Sequence, residues 1–416
     1  MRIVILTAGT RGDVEPFVAL GLGLARTGHD VTLAAPAMLT GLGAARGLGV
    51  APIDDGLLRL KDTKAGQAAL GGGGRGDSKL ALIRQVKPLL RRMIDDGWTA
   101  AQRAEAIVFH PKALAGLHVA EKLGVPAFLA LPVPMFTPTR AFPFPLFTRS
   151  LGGPLNRWSY HLARLIYAPY AGMINTWRRE VLRLPSRGRF TIDTRRDDGA
   201  PMPVLYPCSP ALVPRPVDYP QHVVLTGAWS LDADPMWTPS PGLEAFLAAG
   251  SPPVYIGFGS MPLSRAQGLM RTVLDAVARA GVRALLGGWS VLANEELPAG
   301  VHIIDGAPHA WLFPRMEAVV HHGGAGTTHA GLRVGKPTVV VPFFGDQPFW
   351  GRRVHAAGCG PMPIPLRALT AKKLAEAIRQ AVGDQAMREC ATAMAERMSA
   401  EDGVARTIEW MSAQLR

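Results

Sequence analysis

VVHHGGAGTTHAGLRVGKP, residues 319–337, is the stretch that decides how the chain reads. An apolar run delivers two histidines, a glycine-rich turn follows, and then comes a helical pattern that closes at Gly335, Lys336 and Pro337. A strand over residues 318–320 places His321 and His322 at its carboxyl end. Gly323, Gly324 and Gly326 let the backbone approach a ligand closely. A helix beginning at Thr327 and Thr328 presents free N–H groups and a partial positive charge, which suits an anion. Adjacent histidines on a strand point to opposite faces and do not readily share one metal ion. Two readings of the turn remain: a phosphate cradle, or a tight strand-to-helix turn capped by a threonine.

The same alternation of strand and helix runs outward from this turn. Downstream, residues 338–342 read as the next strand, followed by FFGDQPFW. Upstream, PVYIGFGSM is a strand and turn, residues 266–280 a helix, and residues 284–286 and 301–304 strands. The first half repeats the pattern: strand 2–7, helix 16–26, strand 31–34, and later strands 106–109 and 127–131 with a helix over 114–123 between them. This βαβ order implies parallel sheets with covered faces. The expected fold class is therefore α/β, with two halves joined around residues 225–249 and a ligand cleft at the carboxyl ends of the strands. Residues 372–415 read as helical throughout, with a break at Gly403. GGGGRGDSK, residues 71–79, reads as a mobile loop. PVPMFTPTRAFPFPLFTRSLGGPLNRWSY, residues 132–160, has too many prolines at its start for a regular helix or central strand. Its aromatics suit either an apolar binding surface or a loop packed on its own domain.

Composition narrows the class. At 416 residues the chain exceeds one ordinary core, so two domains are expected. An apolar share of 48% and a charged share of 19% fit a soluble, well-buried protein. The net charge of +13, from 45 Lys and Arg against 32 Asp and Glu, would attract phosphates, nucleic acid or an anionic membrane. The basic residues are nevertheless scattered as singles and as pairs such as Arg91-Arg92 and Arg352-Arg353, so a solvated surface is the plain reading and no nucleic-acid partner is expected. The three cysteines, Cys208, Cys359 and Cys390, form no CxxC pair, which speaks against a disulfide framework or zinc site and for a reducing compartment. MRIVILTAGTRGD reads as a first strand and not as a signal peptide. No run of about 18 apolar residues predicts a membrane span.

Other candidate sites sit at strand ends. GTRGDVEP, residues 9–16, lacks GxGxxG, so a dinucleotide fingerprint is absent. Asp13 there is either a helix cap, with Pro16 in the first turn, or a carboxylate facing the cleft as general base. Asp346 and Gln347 suit several sugar hydroxyls, or cap a helix before Pro348. Ser260 follows glycines and suits a phosphate. Trp311 reads as core, and Trp289, beside Gly287 and Gly288, as the looser aromatic.

Taken together, these segments resemble the family 1 nucleotide-sugar glycosyltransferases of the GT-B fold, most nearly the sterol 3β-glucosyltransferase type and more distantly bacterial glycopeptide and polyketide glycosyltransferases. The resemblance covers nearly the whole chain, through GTRGDVEPFVALGLGLARTGHDV, PMFTPTRAFPFP, NTWRREVLRL, SPALVPRPVDYPQHVVLTGAW, PPVYIGFGSM, APHAWLFP and HHGGAGTTHAGLRVGKPTVVVPFFGDQPFWGRRV. It implies two Rossmann-like lobes facing across a cleft: residues 1–230 for the acceptor, 231–395 for the nucleotide sugar, and a terminal helix over 396–416 crossing back to the first lobe. It implies an inverting, metal-independent transfer in which an acceptor hydroxyl attacks the anomeric carbon and a nucleoside diphosphate leaves. On this resemblance Asp13 is the general base. His321, Gly324, Ala325, Gly326, Thr327 and Ser260 hold the donor diphosphate, with oriented N–H groups meeting the developing charge. Asp346 and Gln347 hold the donor sugar, and Ala307 the base.

The chain departs from plant relatives at two points. Gly306 stands where they carry a base-stacking Trp, and His329 where they carry a ribose-binding Glu. Trp289 is the candidate to supply the stacking. The expected acceptor wall runs from residue 134 to 158, with Met135, Phe136, Phe142, Phe144 and Trp158. The expected reaction moves glucose from UDP-glucose to a hydroxyl of a flat apolar acceptor such as a sterol, with no cofactor beyond the donor. Alternatives are a polyketide or other natural-product acceptor with a dTDP sugar, a nucleotide-sugar 2-epimerase, and a non-catalytic binding protein. The aromatic stretch argues against the epimerase, and Asp13 with Asp346 and Gln347 against the binding protein. The expected location is cytoplasmic, with peripheral membrane contact aided by the positive charge.

Overall fold

The computed structural model describes residues 1–60, 76–188, 199–233, 236–259, 263–289 and 297–415, with the backbone alone described at 76–84 and 263–267. Ser260 lies outside these residues, as does most of the glycine run at 71–79, whose later part opens a helix at Gly76.

Two parallel sheets carry the molecule. The first holds β1 (Arg2–Leu6), β2 (Asp30–Pro36), β3 (Gly49–Ile53), β4 (Ala106–Phe109), β5 (Ala127–Ala130), β6 (Val204–Tyr206) and β7 (Val223–Leu225), in the order β3-β2-β1-β4-β5-β6-β7. The second holds β8 (Val254–Gly257), β9 (Ala284–Gly287), β10 (Val301–Ile304), β11 (Val319–His321) and β12 (Thr338–Val340), in the order β10-β9-β8-β11-β12. Every strand pairing among the described residues is parallel, as strands buried on both faces and joined by helical crossovers require. This is the α/β, two-sheet architecture expected from the strand-helix alternation.

The helices that matter for the site are α1 (Arg11–Arg26), α2 (Gly76–Ala101), α3 (Gly116–Leu123), α4 (Leu263–Ala280), α5 (Ala325–Arg333), α6 (Gln347–Ala356), α7 (Ala371–Gly383), α8 (Gln385–Ser399) and α9 (Gly403–Leu415). Helix α1 starts five residues before the expected residue 16, because Thr10 in extended geometry caps it and Pro16 is tolerated within the early turns. The helical tail breaks before Gly403, as expected, and once more at Asp384, which ends α7 and caps α8, its side chain accepting from Met387 N–H at 3.1 Å. Helices α4 and α7 cover one face of the second sheet through Val273, Val277, Leu374 and Ile378. Helix α9 instead packs on the first sheet's α1: Ile408 and Met411 join the core around Ile3, Phe17 and Leu20, and Trp229 Nε1 donates to Thr407 Oγ1 at 2.8 Å. Gly403 lies so close to the carbonyls of Gly227 and Ala228 that no Cβ fits there.

The lobes meet along a seam. Phe142 of the first packs on Phe349 of the second at 5.4 Å, and the Arg353 guanidinium covers both rings at 4.7 and 5.1 Å. Such desolvated cation–π contacts contribute about 1–2 kcal/mol each. Ser209 joins the seam twice, through its N–H to His329 Nε2 (3.1 Å) and its hydroxyl to Glu401 Oε1 (2.7 Å). Among the described residues, no helix is long and apolar enough to cross a membrane, and all three cysteines are free thiols.

Candidate active site

In each sheet the strand order reverses once, at β1/β4 and at β8/β11, and the crevices outside those carboxyl ends are where α/β sheets bind ligands. Both strand ends flanking the first crevice carry chemistry. Asp13 sits in the first turn of α1 and Lys112 just beyond β4, brought together because Leu6 pairs with Phe109. Asp13 Oδ2 accepts the Thr10 N–H at 2.9 Å, so the carboxylate does serve the helix start, from the third helical position and not as the cap itself. Its other oxygen meets Lys112 Nζ at 2.6 Å and lies 3.8 Å from His110 Nε2. The Nδ1 of His110 accepts the Lys112 N–H at 3.1 Å, which leaves the ring proton on the nitrogen facing Asp13.

The electrostatics follow from these contacts. Burial pushes the Asp13 carboxyl up, but the Lys112 ammonium, then His110 and the Thr10 hydrogen bond, hold it below its usual value. Burial drives His110 down to about 4, so its imidazole is neutral at pH 7. Asp13 is therefore an ionised, half-buried carboxylate, with a neutral donor beside it and the exposed Lys112 ammonium over it.

The second crevice holds the glycine turn. Gly323 has φ of 92°, and a Cβ there would stand 2.8 Å from Val340 Cγ1 and 2.9 Å from the Gln347 carbonyl oxygen, so only glycine fits. Helix α5 begins at Ala325, two residues before the expected Thr327, and Gly324 is its cap. Its first hydrogen bond runs from Thr328 N–H to the Gly324 carbonyl at 2.9 Å, which leaves the N–H groups of Ala325, Gly326 and Thr327 ahead of it. His321 Nδ1 accepts the Gly323 N–H at 2.8 Å, so its proton is on Nε2. That Nε2 is buried and has no partner among the described residues. Burial, with His322 and His309 adding, holds the ring well below its ordinary value, so it is a neutral donor. The set suits an anion: three N–H groups at the start of α5 and a buried imidazole N–H. His322 turns its ring 88° from His321 and faces Phe343, and the two form no joint metal site.

Asp346 and Gln347 follow β12. Gln347 Oε1 accepts the N–H groups of Phe343 (2.7 Å) and Phe344 (3.0 Å), fixing the preceding loop and leaving its amide N–H₂. Asp346 Oδ2 accepts Trp350 Nε1 at 2.8 Å and leaves Oδ1. Burial raises the Asp346 carboxyl, the Trp350 bond and the Lys112 charge oppose this, and the Asp13 charge adds to the rise. The charges of Lys112 and Asp13 thus reach Asp346 from the first lobe, whose α1 packs on α5 of the second. Ala307 is half-buried on the loop after β10.

Other expected positions fall elsewhere. Trp289 is not a stacking ring: it is 1% exposed, in the core against Phe258, with Nε1 donating to the Ile256 carbonyl. His329 is no ribose ligand, since Nδ1 bonds the Ala325 carbonyl (2.7 Å) and Nε2 takes the Ser209 N–H; both nitrogens are used in the seam. Of the aromatic stretch, Phe136 lines a cavity in the first lobe, with Met135 half-buried beside the core. Phe142 and Phe144 are buried away from it, against Phe349 and Tyr160, and Trp158 is on the outer surface. The cavity is lined by Phe109, Pro111, Leu114, Leu117, Tyr167 and Ile174 among others, with His118, Asn175 and Arg187 as its polar members. Sequence patterns did not reveal Lys112, His110 or this polar group; the only signal was their position after a strand.

The chain is similar to known proteins over its whole length. Residues 3–143 match the glycosyltransferase family 28 N-terminal domain, and residues 276–410 the erythromycin biosynthesis protein CIII-like C-terminal domain. A sterol 3-beta-glucosyltransferase of Arabidopsis thaliana is 38% identical over 98% of this chain, and one of Candida albicans 35% identical over 100%. The chain spans 65% and 28% of those two proteins. Among solved structures, the glycotransferase of kitacinnamycin superposes with a TM-score of 0.72 at 18% identity, covering 100% of this chain and 99% of the other. The calicheamicin glycosyltransferase gives 0.70 at 17%, covering 100% and 98%.

Proposed function

This chain belongs to the two-lobed GT-B glycosyltransferases that carry this pair of domains, and we propose that it moves glucose from UDP-glucose to a hydroxyl of an apolar, sterol-like acceptor. The observation that carries this is the packing of α1, with Asp13 beside Lys112 and His110 at its start, on α5, whose open N–H groups and the unpartnered His321 Nε2 form an anion cradle. An acceptor hydroxyl gives its proton to Asp13 Oδ1 as its oxygen bonds the anomeric carbon. The bond from that carbon to the diphosphate oxygen breaks on the opposite face, which inverts the centre. The departing negative charge meets the α5 N–H groups and His321 Nε2, which are already oriented, and this step asks nothing of a metal. Asp346 Oδ1 and the Gln347 amide hold sugar hydroxyls. The acceptor lies in the Phe136–Ile174 cavity beside Pro111. We place the protein in the cytoplasm, in keeping with its free thiols.

The test is a donor-by-acceptor screen read by mass spectrometry, with UDP-glucose and dTDP sugars against sterols and polyketide aglycones. A glucosylated sterol from UDP-glucose supports the proposal. Transfer confined to dTDP sugars and polyketides would replace it, and loss of transfer in EDTA would remove its metal-free part.

Lys112 sets the pH range of this step. Asp13 works as a base only above its folded pKa, and Lys112 holds that value down. In Lys112→Met the opposing push of burial remains, so the acid limb of kcat/KM against pH is expected to move to higher pH. An unmoved limb would show that Lys112 does not tune Asp13.

A further inference from the structure

Six of the twelve large apolar side chains exposed on the described surface fall between residues 146 and 166: Leu146, Leu151, Leu155, Trp158, Leu165 and Ile166. The helices Gly153–Ser159 and Leu162–Tyr167 carry most of them, and Leu155 and Trp158, three apart, share a helix face. Trp158 is 67% exposed and Leu165 60%. A cluster of this kind on a chain otherwise well buried marks a contact surface.

Charge says which contact. From Lys122 to Arg179 the sequence contains no Asp or Glu, and Arg149, Arg157 and Arg164 interleave with the apolar side chains. Asp218 meets Arg157 at 3.7 Å, while Arg149 and Arg164 form no ion pair among the described residues. A protein partner of matching shape would need only the apolar face. A tryptophan and leucines interleaved with arginines, two of them without an ion pair among the described residues, instead match the boundary of a bilayer, where rings lie at headgroup depth and cations meet anionic lipid. The patch is also continuous with the cavity: Tyr167 ends the second helix, and Ala171 and Ile174 on the next helix line the cavity wall with it.

We infer that this face, built on residues 146–166, docks on the anionic surface of a lipid bilayer and lets an apolar acceptor pass from the membrane into the first-lobe cavity. The second half of this statement rests on the acceptor reading above; the docking itself does not.

Two measurements test the two halves separately. In sedimentation of the full chain with vesicles of phosphatidylcholine, alone or mixed with phosphatidylglycerol, binding is expected only to the mixed vesicles. Each surface arginine contributes about a fivefold gain in partition, so Arg149→Gln with Arg164→Gln should weaken binding roughly twenty-fivefold. Leu155→Gln with Leu165→Gln should weaken it at least tenfold without shifting the melting midpoint, since both side chains are exposed. Equal sedimentation with both vesicle types, or unchanged binding in both double variants, would overturn the docking. So would a wild-type dimer in analytical ultracentrifugation that the leucine changes dissociate, because the patch would then be covered by a second copy. In a transfer assay the leucine variant should keep its rate on acceptor supplied in detergent and lose it on acceptor held in vesicles. Equal losses in both formats, with docking intact, would overturn only the loading route.

Discussion

Asp13→Asn is expected to lower transfer by about two to four orders of magnitude, the usual contribution of a positioned base, while donor affinity stays close to wild type. Asparagine is the informative change because its carbonyl oxygen still accepts the Thr10 N–H that starts α1. The fold therefore keeps its helix start, and what is lost is the oxygen now facing Lys112 and His110. Steady-state kcat, with UDP affinity by titration calorimetry, separates the two effects. A variant with full kcat would remove Asp13 from the chemistry, and one that also loses UDP binding would move it to the donor side. The same pair of readouts applied to Asp346→Asn should give the opposite pattern, a higher KM for the nucleotide sugar with a smaller change in kcat.

Glu121→Ala is expected to destabilise the protein by about 3–5 kcal/mol, the range for breaking a buried ion pair from one side. Glu121 lies on α3 and takes Arg178 through two hydrogen bonds of 2.6 Å each, with Arg187 at 2.9 Å on the same carboxylate. Arg178 is only 1% exposed, so removing the carboxylate strands a charge that water cannot reach. Against a typical total stability of about 5–15 kcal/mol, this is at least about a fifth of the fold's margin. The denaturation midpoint in urea measures it, and a change under about 1 kcal/mol would contradict the account. His118 and Arg187 belong both to this network and to the cavity, so acceptor affinity should fall in Glu121→Gln even where the fold survives.

What the sequence revealed followed its periodicity. Residues 106–109, 301–304 and the Gly323–Thr327 turn were legible because each combines an apolar run with glycine or a clear helix start. Strands β6 and β7 were not: three residues each, set among Pro203, Pro207, Pro216 and Pro220, they carry no period of their own and exist because β5 offers a parallel edge. Lys112 was invisible for a different reason. Only the non-sequential placing of β4 beside β1 turns FHPKALAG into a neighbour of Asp13. Trp289 misled because a glycine pair suggested exposure, whereas β9 runs through the centre of the second core and its end is roofed by Phe258.

Helix α9 covers α1 and β1, yet it is made after the whole of the second sheet. While the chain is being synthesised, the groove at Gly23 that will receive Val404 and Ile408 stays open, and Phe128 lacks the Trp410 ring at 6.3 Å. Domains usually finish in the order they leave the ribosome. Here the first core to emerge is the last to close, so the nascent first lobe presents an apolar face to chaperones until residue 415 has cleared the exit tunnel.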